Sequence, residues 1–294
     1  MTTRALVLGG GGPVGIAWES GLIAGLEAAG VSLGNADRII GTSAGAVVGA
    51  QLALGRTGAQ LQAAQQAQTA RPSERSFARG ASSGQRAAPP DLSPLMRAMS
   101  TRPQDPAALP AWFVGIGAFA LGATTIAEDA FIASFGALVG SAAWPAKEFI
   151  CTAIDAERGA FVSWTRDAGV PLARAVASSC AVPGIYPPIT INGQRYYDGG
   201  LRSATNADLA AGCDSVVVIS VMPAAAPPFA AALDAEIAAL RAGGCRVTLI
   251  SADDAARKVF GTNLMDASRR LPALEAGVAQ GRAAAAELRK VWAD

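Results

Sequence analysis

The sequence contains no histidine. That single zero removes the Ser-His-Asp triad, the Cys-His pair and every zinc or iron site built on imidazole. Cysteine is sparse: Cys151, Cys180, Cys213 and Cys245 stand far apart, without a C-x-x-C spacing, each in or beside an apolar segment. Small buried side chains are their expected role, with disulfides the alternative, and neither a metal nor a cofactor is expected. Charged residues make up only 16% of the chain, lysine occurs only as Lys147, Lys258 and Lys290, and the net charge is +1. Nothing there draws the protein to nucleic acid. Also missing is a basic segment followed by a long apolar run and a small-residue cleavage site. No signal peptide is therefore expected, and a cytosolic, reduced setting is the default.

What is present is an apolar chain of 294 residues, 51% hydrophobic, enough to bury a large core in one or two domains and too apolar for disorder. Ala5-Leu6-Val7-Leu8 is a continuous apolar run ending in glycine, as expected of a strand covered on both faces. A loop, Gly9 to Gly12, follows, and then Ile16, Trp18, Leu22, Ile23 and Leu26 recur at helical spacing up to Gly30. A second short strand is expected over Asp37 to Ile40.

Between that strand and a helix starting at Ala44 lies Gly41-Thr42-Ser43-Ala44-Gly45, which fits the G-x-S-x-G nucleophile elbow. A serine on a strained strand-to-helix turn leaves no room for side chains two residues before or after it, so Gly41 and Gly45 sit there. The bland alternative is a glycine-rich joint whose serine caps the helix. Gly10-x-Gly12-x-x-Gly15 formally matches the dinucleotide fingerprint. That fingerprint wants an acid at the far end of the second strand, where this chain has Gly41-Thr42-Ser43, and Asp37 lies at the wrong end. The competing use of Gly10, Gly11 and Gly12 is an oxyanion hole, in which adjacent backbone N–H groups converge on one anion. A right-handed crossover would bring both loops to one sheet edge.

Residues 55 to 90 are polar and rich in alanine, glutamine and then arginine, and read as a solvated loop rather than a phosphate-binding patch. Residues 106 to 146 carry Glu128 and Asp129 as their only charges. Glycines and Pro110 interrupt them, so a buried helical pair within a cap is expected, with contact at a membrane surface as the alternative; spanning is not expected, although the first tract, Pro106 to Ala127, is long enough for it. Two strands joined by a turn are read over Glu148–Ile154 and Ala160–Trp164, and a helix over Leu172–Val182 before Pro183-Gly184. Ile189 to Tyr197 alternates around Asn192-Gly193, a hairpin signal that delivers the chain to Asp198-Gly199-Gly200. Strands are expected at 216–221 and 247–251, with helices at 230–241 and 273–292.

Without histidine, the base for Ser43 has to be aspartate, glutamate, lysine or a bound water. Asp198 is the candidate at a strand end, and an Asp-Gly turn is its ordinary alternative. Taken together, Gly10-Gly11-Gly12-Pro13-Val14-Gly15, the Ser43 pentapeptide, Pro183-Gly184-Ile185-Tyr186-Pro187 and Asp198-Gly199-Gly200 resemble the patatin-like phospholipase family over residues 5–54 and about 147–221. The resemblance implies a three-layer α/β/α sandwich with a mostly parallel sheet, one catalytic domain over 1–294, and a helical cap insertion at 56–146. It implies a Ser43–Asp198 dyad acting on lipid acyl esters, Gly10, Gly11 and Gly12 as oxyanion donors, and Gly15, Gly41, Gly45, Gly199 and Gly200 in support. One departure stands out: Val14 occupies a position where many members carry arginine or lysine. An acyltransferase and a non-catalytic lipid-binding protein are the remaining functional alternatives. An ordinary aspartate, with a pKa of about 4, is a weak base at neutral pH, so burial is expected to raise that of Asp198.

Overall fold

The computed structural model describes residues 2–70, 93–221 and 230–292. Among them, eight strands form one sheet: β1 (Arg4–Leu8), β2 (Arg38–Gly41), β3 (Glu148–Asp155), β4 (Phe161–Trp164), β5 (Ile189–Ile191), β6 (Gln194–Asp198), β7 (Ser215–Ser220) and β8 (Arg246–Ser251). Their order is β5-β6-β3-β2-β1-β7-β8, with β4 paired to β3 off that path. The pairs β3-β2, β2-β1, β1-β7 and β7-β8 are parallel, and β6 and β4 run antiparallel to β3.

The apolar strands follow from the period of two. Leu6 and Leu8, Ile39, Phe149, and Val217 and Ile219 pack on one face, while Ala5 and Val7, Ile40, Ile150, and Val216 and Val218 pack on the other. Helices α1 (Gly12–Ala28), α2 (Ala44–Ala53) and α3 (Gly58–Ala70) follow the first two strands. Next come α4 (Ser93–Ser100), α5 (Leu109–Gly122) and α6 (Glu128–Val139), and α7 (Leu172–Ser179) precedes the hairpin. The chain closes with α8 (Ala230–Ala242), α9 (Asp254–Phe260) and α10 (Arg270–Trp292). Residues of α1, α2, α6, α7 and α10 belong to the core of the first face, and α8 covers the second with Leu233, Ile237 and Leu240. The architecture is a mostly parallel α/β sheet flanked by helices, as expected.

The terminal helix docks on α1 through backbone contact. Ala273, Leu274, Gly277, Gly281, Ala285 and Leu288 form its buried stripe. A Cβ added at Gly281 would stand 2.2 Å from the Leu22 carbonyl oxygen, and one at Gly277 2.3 Å from that of Trp18. Only glycine permits that approach, so two helices far apart in sequence lie as close as their main chains allow.

Most expected elements recur within a few residues, and two expectations are corrected. The polar stretch after Gly55 is not a loop throughout, because Gly58–Ala70 is a helix. Leu61 and Gln65, four residues apart, are buried on one side of it, and its alanines and glutamines are good helix formers. The remainder of that expectation, residues 71–90, lies outside the described residues. The helix ahead of Pro183 ends at Ser179 rather than Val182, which frees residues 180–182 to turn toward β2 and β6. Proline at 183 also disfavours a helical conformation at Val182. The hairpin turn has positive φ at both Asn192 (50°) and Gly193 (78°), the type I′ geometry its dipeptide favours. All four cysteines are buried and unpaired. Among the described residues, no helix is long and apolar enough to cross a membrane.

Candidate active site

Parallel pairing of β1 with β2 sets Leu8 opposite Gly41, so the glycine loop and the Ser43 turn leave the sheet at the same edge. Asp198 reaches that edge from the far side. On β3, Cys151 is level with Gly41 of β2, and Ala153 is level with Asp198 of β6. The antiparallel hairpin therefore ends two β3 positions beyond the end of β2, which places the carboxylate beside the serine.

Ser43 itself has φ 54° and ψ −116°, a strained conformation for a residue with a Cβ. Its neighbours leave no alternative. A Cβ at Gly45 would lie 2.1 Å from the Leu8 carbonyl oxygen, and one at Gly41 would lie 2.4 Å from that of Gly45. The Ser43 N–H donates to Ser179 Oγ (3.0 Å), and Cys180 Sγ donates to the Ser43 carbonyl (3.1 Å). The Asp198 N–H donates to the Ala181 carbonyl (3.1 Å). Residues 179–181 thus brace both members of the pair, because α7 stops where it does.

Both side chains are buried, Ser43 at 7% and Asp198 at 3% exposure. Burial, the largest influence, pushes the Asp198 carboxyl up from an ordinary 3.8 to about 7, against the lowering effects of the Gly200 N–H and the Ser43 hydroxyl. The Gly200 N–H reaches Asp198 Oδ1 at 2.7 Å. Gly199 and Gly200 keep this turn narrow: a Cβ at Gly199 would stand 2.4 Å from Thr152 Oγ1. Burial also pushes the neighbouring Cys180 thiol well above its usual range, so that sulfur is an inert bystander.

The glycine loop divides. The Gly9 N–H donates to the Ile219 carbonyl (3.0 Å) and the Gly10 N–H to that of Ala204 (2.7 Å). The expectation for Gly10 is therefore corrected: it lies against Ser43, but its amide is committed to holding the loop on the 204–205 segment. Among the described residues, the amides of Gly11 and Gly12 meet no acceptor. Neither does that of Ala44, the residue after Ser43. Ala44 was not anticipated, although a nucleophile elbow commonly supplies that N–H. Gly15 packs behind the loop, where a Cβ would meet that of Ala44 at 3.3 Å.

A buried polar cluster beneath the pair is the other unanticipated feature. Asn206 Nδ2 donates to Thr42 Oγ1 (3.0 Å), to the Gly199 carbonyl (3.3 Å) and to the Ser203 carbonyl (2.9 Å). Thr42 Oγ1 lies 3.1 Å from Thr152 Oγ1. One amide thus joins the residue before Ser43 to the residue after Asp198. No periodicity or spacing signals that role.

A cavity of about 380 Å³ opens on Ser43, within the roughly 300–1,000 Å³ typical of small-molecule sites. Ile16, Phe131, Phe135, Leu138 and Val182 give it an apolar wall, and Gly12 and Ala44 lie at its base with Ser43. Tyr186 stacks on Phe131 with centroids 4.5 Å apart, so the 183–187 segment forms part of that wall.

A family model described as patatin-like phospholipase matches residues 6–211, a span that holds the glycine loop, Ser43 and Asp198. The chain belongs to the patatin-like phospholipase family. Among solved structures, VipD from Legionella pneumophila aligns at TM-score 0.49 and 14% identity, over 97% of this chain and 67% of that one. The type III effector protein ExoU aligns at TM-score 0.41 and 17% identity, over 100% of this chain and 54% of its own. A search of curated protein sequences returns no match. The patatin-like match stops short of β7, α8, β8, α9 and α10. Even so, β7 pairs with β1 and α10 packs on α1, so the site's scaffold extends beyond the matched residues.

Proposed function

We propose that this chain is a lipid acyl hydrolase working through a Ser43–Asp198 dyad. The observation that carries the reading is the buried Asp198 carboxyl beside the Ser43 hydroxyl, with its pKa raised to about 7. A base near neutrality removes the serine proton far better than an ordinary carboxylate. Ser43 Oγ attacks the ester carbonyl while its proton passes to Asp198. The oxyanion so formed is held by the N–H groups of Gly11 and Gly12, with Ala44 as a third donor. Asp198 then gives the proton to the departing alkoxide as the carbon–oxygen bond breaks, leaving an acyl-serine. Water adds to that ester, Asp198 takes its proton, and return of the proton to Ser43 releases the fatty acid. Each donor of this kind is worth about 3–4 kcal/mol of barrier, so the glycine loop supplies a large share of the rate.

In this reading the acyl chain lies in the apolar cavity, and the described residues of the 56–146 insertion are a cap whose α3 and α6 form part of its wall. Contact with a lipid surface is assigned to the outer side of α5, whose Val114 is half-buried, while its Trp112, Phe119 and Leu121 pack inward on the cluster of Ile154 and Tyr197. The test is hydrolysis of a nitrophenyl acyl ester together with fluorophosphonate labelling and peptide mapping. Label on Ser43, with activity lost in Ser43→Ala and Asp198→Asn, is the expected result. Activity that survives both substitutions rejects the dyad, and transfer of the acyl group to an added alcohol in preference to water makes the enzyme an acyltransferase.

A further inference from the structure

Between residues 106 and 146 the chain carries only two charges, Glu128 and Asp129, and neither belongs to the proposed dyad. They open α6 side by side and then part company. Asp129 is exposed (97%) and stands 4.0 Å from Arg174, an ion pair of little worth in solvent. Glu128 turns to the sheet instead. Its Oε1 accepts the Thr190 N–H at 2.7 Å and its Oε2 accepts the Thr190 hydroxyl at 2.9 Å. The Arg174 guanidinium lies 3.5 Å from the same Oε1 and also donates to the Thr190 carbonyl at 2.9 Å.

Thr190 is the middle residue of β5, the strand at one edge of the sheet. An edge strand leaves main-chain N–H and C=O groups open, and folded proteins cover them. Here a carboxylate of the cap takes the N–H, and a side chain of α7 takes the C=O. The charge on the acceptor makes the first of these a strong bond. The other end of α6 is held by Gln51, whose Nε2 donates to the Leu138 carbonyl at 2.7 Å. Between these two anchors α6 gives the cavity Phe131, Ser134, Phe135, Ala137 and Leu138, a wall about 10 Å long. None of the anchoring side chains lines the cavity itself. The wall is therefore fixed at both ends from outside the space it encloses.

Resting on the acyl-hydrolase reading, we propose that Glu128 is a positioning residue for substrate choice: by docking α6 on the edge of β5, it makes the cavity discriminate acyl chains by length. A fixed wall rewards each added methylene with burial, about fourfold in affinity for a fully buried group. The probes are 1-butanoylglycerol and 1-octanoylglycerol, which share a head group and differ by four methylenes. Calorimetry on the full-length Ser43→Ala protein reads their affinities without turnover. The octanoyl ester is expected to bind about 30- to 200-fold more tightly. In Ser43→Ala/Glu128→Ala the Thr190 N–H and Arg174 lose their acceptor. That ratio is then expected to fall by about tenfold or more, while the butanoyl ester keeps its affinity within about twofold. Glu128→Gln retains an oxygen for the Thr190 N–H and loses the charge, so in the same background the ratio falls about threefold. Urea denaturation of each variant establishes that it is folded. If Glu128→Ala does not fold, Glu128→Gln carries the test, and an unchanged ratio there overturns the proposal. A ratio near one in the Ser43→Ala parent, or one that survives Glu128→Ala, overturns it as well. So do equal losses for the two esters, the result for an edge contact that only stabilises the fold. Hydrolysis by the wild-type chain tests the dyad separately: it can fail while the ratio behaves as stated, and succeed while the ratio does not.

Discussion

The ionisation of Asp198 sets a pH signature that an ordinary carboxylate would not produce. With its pKa raised to about 7, roughly 1% of the molecules carry the basic carboxylate at pH 5, whereas a group near 3.8 would be over about 90% ionised there. The expected kcat/KM on a neutral nitrophenyl ester therefore falls about tenfold per pH unit below 7 and levels off above it. Stability moves the opposite way. The folded state holds the Asp198 proton up to about pH 7, while the unfolded chain releases it near 3.8. The contribution of this group to stability is full below 3.8 and is lost as pH rises through 7. Between pH 5 and 8 that loss amounts to about 3 kcal/mol, and Asp198→Asn, which has no proton to lose, does not share it. Urea denaturation of both proteins at pH 5 and pH 8, beside the pH–rate profile, measures the two effects. A kcat/KM that stays flat down to pH 5, with a wild-type-minus-variant stability difference independent of pH, would refute the assignment of a raised pKa to this residue.

Further expectations follow from the same geometry. Ser43→Gly removes the activity yet raises stability by about 1 kcal/mol, because glycine tolerates the positive φ that serine is forced into; equilibrium denaturation that finds the variant less stable contradicts strain at this turn. In Gly281→Ala the new methyl meets the Leu22 carbonyl oxygen at 2.2 Å, and separating α10 from α1 costs about 1–3 kcal/mol, read as a lowered urea midpoint at constant slope. Asn206→Ala strips hydrogen bonds from Thr42 Oγ1 and from the Gly199 and Ser203 carbonyls, at about 2–4 kcal/mol of stability. Because those groups hold the two ends of the proposed Ser43–Asp198 dyad, kcat should fall more than KM rises; unchanged kcat in the folded variant would make Asn206 a purely structural residue.

What could be read from the sequence were the features governed by local chemistry. Runs of β-branched and aliphatic residues marked β1, β2, β7 and β8, and Asn192-Gly193 marked the hairpin turn. Gly41 and Gly45 flanked Ser43 because the chain itself cannot turn there with larger side chains, and the absence of histidine left aspartate, glutamate, lysine or a bound water as the base. Other features were decided by contacts between distant segments, to which local pattern is blind. The amide of Gly10 was taken by Ala204, whose position depends on how the chain returns after β6. A polar stretch became α3 because α1 and α10 offered it a surface on which to bury Leu61. Asn206 acquired its partners only when the strand register brought Thr42 and Gly199 within reach of one amide. Glu128 met Thr190 because the cap folded back on the sheet edge, a contact that requires both surfaces at once.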